Sequence, residues 1–204
     1  MYIEVHPDNP ASRKIQQIAS IVKKGGLIIY PTDTVYAMGC DIYSKDAVDR
    51  LCRIKGVKPD KMDFSFIFHD FSQLSEFTIN LDTPIFKLMK RLLPGPYTFI
   101  LNANNAIPKL FKNKKRTIGI RIPDNNIPRA LVQELGNPIL TTSIHHEDEI
   151  LDYITEPYLI YERFENLVDI VIDGGLGGIQ PSTVIDCTSG SPILIREGKG
   201  EVDF

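Results

Sequence analysis

Hydroxyl, carboxylate and cationic side chains recur directly beside short apolar runs that have the composition of buried strands. The first such polar segment, Tyr30 to Gly39, places Thr32, Asp33 and Thr34 after the apolar run Leu27 to Tyr30. Burying two hydroxyls and a carboxylate is costly unless each is hydrogen-bonded. The segment therefore indicates either a hydrogen-bonded turn or one wall of a binding site.

A second segment concentrates positive charge at the end of a predicted helix. Arg53 to Lys61 contains four cations in nine residues. Such a cluster could hold the phosphates of a nucleotide. The alternative is a solvated helix end whose cations complement the helix dipole.

Two further segments combine predicted strands with charged groups. In Thr117 to Pro123, Arg121 alternates with apolar residues, so its guanidinium is expected to be partly buried and to need an anionic partner. The other segment is Pro181 to Asp186, with Arg196-Glu197-Gly198 at the end of a later strand. A basic run precedes the first of these strands and comprises Lys109, Lys112, Lys114, Lys115 and Arg116.

Alternating helices and strands must position these segments. Apolar residues at helical spacing predict helices over 11–24, after Ser44, over 84–92 and over 127–135, and the acidic stretch 145–165 indicates a loop leading into a helix. Short β-branched runs predict strands near 27–30, 64–68, 97–103, 117–122, 138–142, 168–172, 183–187 and 192–196. Because the last strands lack intervening helices, the predicted fold is α/β with a mixed sheet. A length of 204 residues fits a single domain.

Several familiar motifs are absent. There is no P-loop and no Gly-x-Ser-x-Gly elbow, and the glycine cluster 174–178 fails the dinucleotide-binding spacing because Gln180 stands at the last glycine position. His145-His146-Glu147 has metal-ligating residue types without the helical spacing of a zinc site, so no metal site is predicted. The three widely separated cysteines are expected to be buried apolar residues.

Composition and charge restrict the class of protein further. With 43% hydrophobic and 24% charged residues the chain is neither collagenous nor a long disordered segment. No apolar run is long enough to span a bilayer and the first residues lack a signal-peptide pattern, so we expect a cytoplasmic protein with no membrane partner. Residues 1–121 hold 19 Lys and Arg against 11 Asp and Glu, whereas residues 122–204 hold 4 against 15. Such an uneven field could steer an anionic ligand toward one face.

The polar segments, in this order, resemble the YrdC/YciO family, whose characterised members are threonylcarbamoyl-AMP synthases. The resemblance covers about residues 12–198. It implies a twisted mixed parallel and antiparallel sheet flanked by helices, with a concave basic cavity, as in the YrdC-like and DHBP synthase-like folds. Its most specific pieces are Pro31-Thr32-Asp33-Thr34-Val35-Tyr36, Pro94-Gly95-Pro96-Tyr97-Thr98, Thr117 to Pro123, Pro181 to Asp186 and Arg196-Glu197-Gly198.

The resemblance also implies a reaction and a set of site residues. L-threonine and bicarbonate would form a carbamate that attacks the α-phosphate of ATP, giving threonylcarbamoyl-AMP and pyrophosphate for tRNA adenosine modification, with Mg²⁺ held mainly by the phosphates. By resemblance the threonine and carbamate region comprises Thr34, Arg121, Ser143 and Ser182. The implied nucleotide contacts are Lys55, Thr117, His145 and Arg196, with Lys55 and Arg121 as candidate catalytic residues.

The chain departs from the synthase pattern at two places. Lys55-Gly56-Val57 stands where the synthases have Lys-x-Arg, and Ser143-Ile144-His145 stands where they have Ser-Ala-Asn. These departures resemble the YciO branch. Two alternatives therefore accompany the synthase hypothesis. One is a protein that binds double-stranded RNA or tRNA through the basic run at 109–116, and the other is a partner protein that has lost catalysis.

Overall fold

The computed structural model describes residues 1–58, 64–79, 81–108, 117–144 and 154–203. The strands are β1 (Tyr2–Glu4), β2 (Ile28–Tyr30), β3 (Ala37–Asp41), β4 (Ser65–Ile67), β5 (Tyr97–Asn102), β6 (Thr117–Arg121), β7 (Ile139–Ser143), β8 (Ile170–Asp173), β9 (Thr183–Asp186) and β10 (Ile193–Arg196). The helices are α1 (Ser12–Lys23), α2 (Lys45–Lys55), α3 (Phe71–Ser75), α4 (Thr83–Leu92), α5 (Asn126–Leu135) and α6 (Pro157–Phe164).

The ten strands of the described chain form one mixed sheet in the order β1-β8-β2-β3-β7-β4-β6-β5-β9-β10. The pairs β1/β8, β8/β2, β4/β6 and β5/β9 are parallel. The pairs β2/β3, β3/β7, β7/β4, β6/β5 and β9/β10 are antiparallel. The predicted mixed sheet is therefore confirmed. Among the described residues, no helix has the length and apolar character that crossing a bilayer requires.

The local signals in the sequence account for most of these elements. The α1 helix buries Ile15, Ile18 and Val22 on one face, as their spacing predicts. The predicted cap at Ser44 is present, because its side chain accepts a hydrogen bond from the Ala47 amide at the start of α2. Three elements were not predicted: β1, β3 and α3.

The two faces of the sheet are covered differently. One face carries Phe66, Phe99 and Ile120 and packs against α2, α4 and α6 in a large apolar core. The other face packs against α1 and α5. Ile67 of β4 is buried in this second apolar core. Beyond β4 the burial alternates: in β6, Ile118 and Ile120 are buried, whereas Thr117 and Gly119 are partly exposed.

This alternation leaves part of the second face accessible across β6, β5 and β9. In β5 and β9 the pattern repeats, with Ile100 and Val184 partly exposed between buried neighbours. Side chains alternate between the two faces of a strand, so all the partly exposed positions belong to the same side. We call this region the open face. It includes Thr98, Ile100, Thr117, Gly119, Arg121, Val184, Asp186 and Arg196.

All three cysteines are buried, as expected from the sequence, and they form no disulfide with one another. Burial raises the pKa of Cys52 and of Cys187 to about 11, and it also raises the pKa of Cys40. We therefore expect the folded protein to react slowly with a thiol reagent at pH 8 and all three thiols to react once urea has unfolded it. Rapid labelling of the native protein at that pH would contradict this.

The same shifts predict how stability depends on alkaline pH. A thiol whose pKa is higher in the folded state than its ordinary value of 9.0 stabilises the fold fully below that value. The contribution is then lost as the pH rises toward about 11, because only the unfolded chain releases the proton easily. Urea midpoints measured between pH 8 and 11 should fall steadily.

Candidate ligand-binding site

Arg121 is the central cation of the open face. It is 7% exposed, and its Nη2 donates hydrogen bonds to Asp33 Oδ1 at 2.7 Å and to Thr34 Oγ1 at 3.0 Å. The expectation of a buried guanidinium with an anionic partner is therefore confirmed. Its buried Nε has no hydrogen-bond partner within the described chain. Because an unsatisfied buried N–H is costly, an acceptor that a ligand brought to this donor would be stabilising.

Asp33 connects three parts of the chain at this point. Its carboxylate, 7% exposed, accepts from Arg121 through Oδ1 and from the Asp124 amide through Oδ2 at 3.1 Å. Its backbone carbonyl accepts from Lys199 Nζ at 2.6 Å. Asp33 therefore fixes the turn after β2 against the end of β6 and against the segment that follows β10.

The turn that carries Thr34 is itself hydrogen-bonded. Thr32 Oγ1 donates to the Val35 carbonyl at 2.7 Å, accepts from the Thr34 amide at 3.0 Å and lies 2.9 Å from Thr34 Oγ1. The hydrogen-bonded turn is therefore present, and it also places the Thr34 hydroxyl beside Arg121. That the segment forms a wall of a binding site stays a prediction. Neither hydroxyl residue is exposed beyond 8%.

The glycine cluster that follows β8 packs on this turn. The Gly178 amide donates to the Thr34 carbonyl at 2.8 Å. A Cβ on Gly178 would lie 2.3 Å from the same carbonyl oxygen, so a larger residue cannot make this approach. Nearby, the Tyr36 hydroxyl donates to the Gly175 carbonyl at 2.7 Å. The cluster thus supports the Thr34 turn.

A pair of hydroxyls forms the neighbouring part of the site. Ser182 Oγ lies 2.8 Å from Thr98 Oγ1, and both residues are 6% exposed. Arg196 Nη2 donates to the Ser182 carbonyl at 2.8 Å. Because Arg196 pairs with Val184 and Val184 pairs with Thr98, the guanidinium emerges on the same side of the sheet as Thr98.

The remaining predicted residues lie on other strands and helices or outside the described residues. Lys55 Nζ, at the end of α2, donates to the Ser143 carbonyl at 3.0 Å. Thr117 begins β6, two residues from Gly119 and on the same face. The predicted contact His145 and the predicted RNA-binding cluster Lys109, Lys112, Lys114, Lys115 and Arg116 lie outside the described residues. RNA binding by that cluster stays a prediction.

The structure thus joins the predicted residues in three pairs: Thr34 with Arg121, Ser182 with Arg196, and Lys55 with Ser143. It adds residues that the prediction left out of the site. Asp33 and Thr98 lie inside motifs that the sequence analysis had noted. They could have been predicted as site residues only from the need of Arg121 and Ser182 for a buried hydrogen-bond partner. Nothing in the sequence pointed to Lys199.

The chemistry of this face suits an anionic ligand. Three cationic side chains and four hydroxyls lie around the Asp33 carboxylate, which is already paired with Arg121. The strand register also places the carboxylate of Asp186 on this face. Within the described residues, no group of three or more His, Cys, Asp and Glu side chains is arranged to hold a metal ion. The cations are Arg121, Arg196 and Lys199, and the hydroxyls belong to Thr32, Thr34, Thr98 and Ser182.

The fold and site together define a class: an α/β protein whose mixed sheet presents guanidinium and hydroxyl groups on one open face. Comparison with known proteins identifies the family. The Sua5/YciO/YrdC family model, described as "Telomere recombination", matches residues 20–198. The chain belongs to this family.

The similar proteins align with nearly the whole chain. YciO of Escherichia coli strain K12 is 44% identical over 202 residues, covering 98% of this chain and 97% of that protein. The crystal structure of E. coli YciO superposes with a TM-score of 0.91 at 42% identity, over 98% of this chain and 97% of the other. The threonylcarbamoyl-AMP synthase of Pyrococcus abyssi is 30% identical over 188 residues, which are 91% of this chain and 54% of the synthase. The structure of P. abyssi Sua5 complexed with L-threonine gives a TM-score of 0.86 at 28% identity, over 97% of this chain and 57% of the other.

Proposed function

We propose that the chain is an ATP-dependent enzyme that makes threonylcarbamoyl-AMP from L-threonine and bicarbonate, a precursor for tRNA adenosine modification. Family membership supports this, as does the likeness to a threonylcarbamoyl-AMP synthase and to a Sua5 structure complexed with L-threonine. The observation that carries the proposal is Arg121, a buried guanidinium whose Nε has no partner among the described residues.

In this proposal the amino acid binds at Arg121. The carboxylate of L-threonine accepts a charge-assisted hydrogen bond from Nε, while Asp33 and Thr34 hold the other edge of the guanidinium. The hydroxyl pair Ser182 and Thr98 lies on the same open face, where it can donate to the carbamate oxygens. The amino acid is thereby held with its nitrogen facing the open side of the sheet.

The reaction needs positioning and charge stabilisation rather than a nucleophilic side chain. The threonine nitrogen attacks the carbon of bicarbonate and water leaves, which gives the carbamate. A carbamate oxygen then attacks the α-phosphorus of ATP, and the bond between this phosphorus and the bridging oxygen breaks, so that pyrophosphate departs. Arg196 and Lys55 stabilise the negative charge that develops on the phosphates. The proposal keeps Mg²⁺ on the ATP phosphates and water, where it would neutralise charge.

The direct test is a mass-spectrometric assay. Incubation with Mg²⁺, ATP, L-threonine and ¹³C-bicarbonate should yield labelled threonylcarbamoyl-AMP together with pyrophosphate. Thr34→Val, which keeps the side-chain volume and removes the hydroxyl next to Arg121, should reduce the product at least tenfold. Thr83→Val makes the same chemical change at the start of α4 and should leave the yield unchanged. Absence of the product from a wild-type protein that binds ATP would show that it uses another substrate.

A further inference from the structure

We propose that Lys199 is an additional phosphate-binding residue of the nucleotide subsite. The inference rests on the proposed function, since it names a contact that the ATP of that reaction would make. Lys199 directly follows the Arg196-Glu197-Gly198 segment. Its ammonium donates to the backbone carbonyl of Asp33, the residue that also binds Arg121.

The main chain at Lys199 is held firmly against the site. The Lys199 amide donates to the Pro181 carbonyl at 2.8 Å, and the Gly198 amide donates to Thr183 Oγ1 at 3.0 Å. A Cβ on Gly198 would lie 2.4 Å from the Pro181 carbonyl oxygen, so glycine permits this close approach. The Lys199 side chain itself is exposed. A fixed backbone therefore holds this exposed cation at the edge of the open face.

The electrostatics of this edge favour a multiply charged anion. Asp33 is the carboxylate that pairs with Arg121. Within the described residues, Arg196 and Lys199 make their hydrogen bonds to backbone carbonyls, those of Ser182 and Asp33, and neither forms an ion pair with a carboxylate. In the part of the chain that the structure describes, both cations therefore lack a carboxylate at ion-pair distance.

A phosphate is a stronger partner for Lys199 than the carbonyl it contacts now. A phosphate oxygen carries negative charge, so it attracts the ammonium by a direct charge–charge interaction that the neutral carbonyl lacks. The ammonium has three donors, so it can keep the Asp33 carbonyl and still donate to a phosphate oxygen. The end of α2 supplies Lys55, followed by Gly56 and the apolar, exposed Val57, so a further cation would add to the charge available for the phosphates.

The test compares affinities for Mg²⁺·ATP and for L-threonine by titration calorimetry. Lys199→Gln keeps a hydrogen-bond donor on a side chain one atom shorter but removes the charge. It should weaken Mg²⁺·ATP binding about tenfold while changing L-threonine affinity less than twofold. Lys199→Arg, which restores the charge, should recover most of the affinity. Lys87→Gln removes the same charge from the exposed side of α4, on the opposite face of the sheet, and should have no effect.

The outcomes separate this inference from the proposed function. Equal affinity of the wild type and Lys199→Gln for Mg²⁺·ATP would overturn the role of Lys199 and leave the proposed reaction standing. A wild type that does not bind ATP would overturn the proposed function, and pyrophosphate would then serve as the probe for Lys199. Pyrophosphate binding that weakens in Lys199→Gln would support an anion site at Lys199, and no difference or no binding would overturn it.

Discussion

Replacing Arg121 by methionine is expected to lower the free energy of unfolding by about 3–5 kcal/mol, because it leaves the Asp33 carboxylate buried without its cation. The two side chains are 8% and 7% exposed, so water cannot take over the role of the lost guanidinium. The same change should abolish measurable L-threonine binding, since the proposed hydrogen-bond donor to the substrate carboxylate is gone. Urea unfolding and calorimetry measure the two effects separately.

Two further variants show whether the loss comes from the buried charge. The double variant Arg121→Met with Asp33→Leu replaces the ion pair by apolar groups and should recover much of the stability, but not the binding. Arg50→Met breaks the ion pair with Asp169 at 2.8 Å, whose side chains are 37% and 38% exposed, and should cost about 1 kcal/mol or less. A similar cost for Arg50→Met and Arg121→Met would contradict the importance of burial.

Secondary structure could be predicted from the sequence where a segment has its own hydrophobic periodicity or capping residue. Helices α1, α2, α4 and α5 have periodic apolar faces or caps that the sequence displays. The strand β3 was missed because Ala37–Asp41 follows a polar turn and contains alanine, glycine and cysteine in place of β-branched residues. The position of β7 between β3 and β4 depends on pairing between distant segments, which no local pattern encodes.

Some features of the site could likewise be predicted from a single segment, and others could not. That Arg121 needs an anionic partner follows from its place in an apolar strand, whereas the identity of that partner, Asp33, depends on a contact across 88 positions of the chain. The open face is likewise a tertiary property, because it exists where the α1 and α5 layer stops covering the sheet. Lys199 reaches the site through the path of the chain after β10, so its spacing from other polar residues gave no indication.

Gly178→Ala is expected to weaken L-threonine binding at least tenfold by displacing the Thr34 turn. The added Cβ would lie 2.3 Å from the Thr34 carbonyl oxygen, and the backbone cannot move away there without breaking the hydrogen bond from Gly178 to the same oxygen. Overpacking of this kind costs about 1–3 kcal/mol in stability. Because Thr34 Oγ1 accepts from Arg121, the displacement should also change the orientation of the guanidinium.

The neighbouring residue provides the control for Gly178→Ala. Ile179 is 67% exposed, so Ile179→Ala alters the same loop without a close backbone contact and should leave both the thermal midpoint and the L-threonine affinity unchanged. If Gly178→Ala bound L-threonine as tightly as the wild type, the Thr34 turn would not set the binding geometry. If both variants lost binding equally, the loop would act through its exposed surface rather than through its contact with Thr34. A loss confined to Gly178→Ala would show that a backbone contact, made by a residue with no side chain, holds the hydroxyl of Thr34 in place beside Arg121.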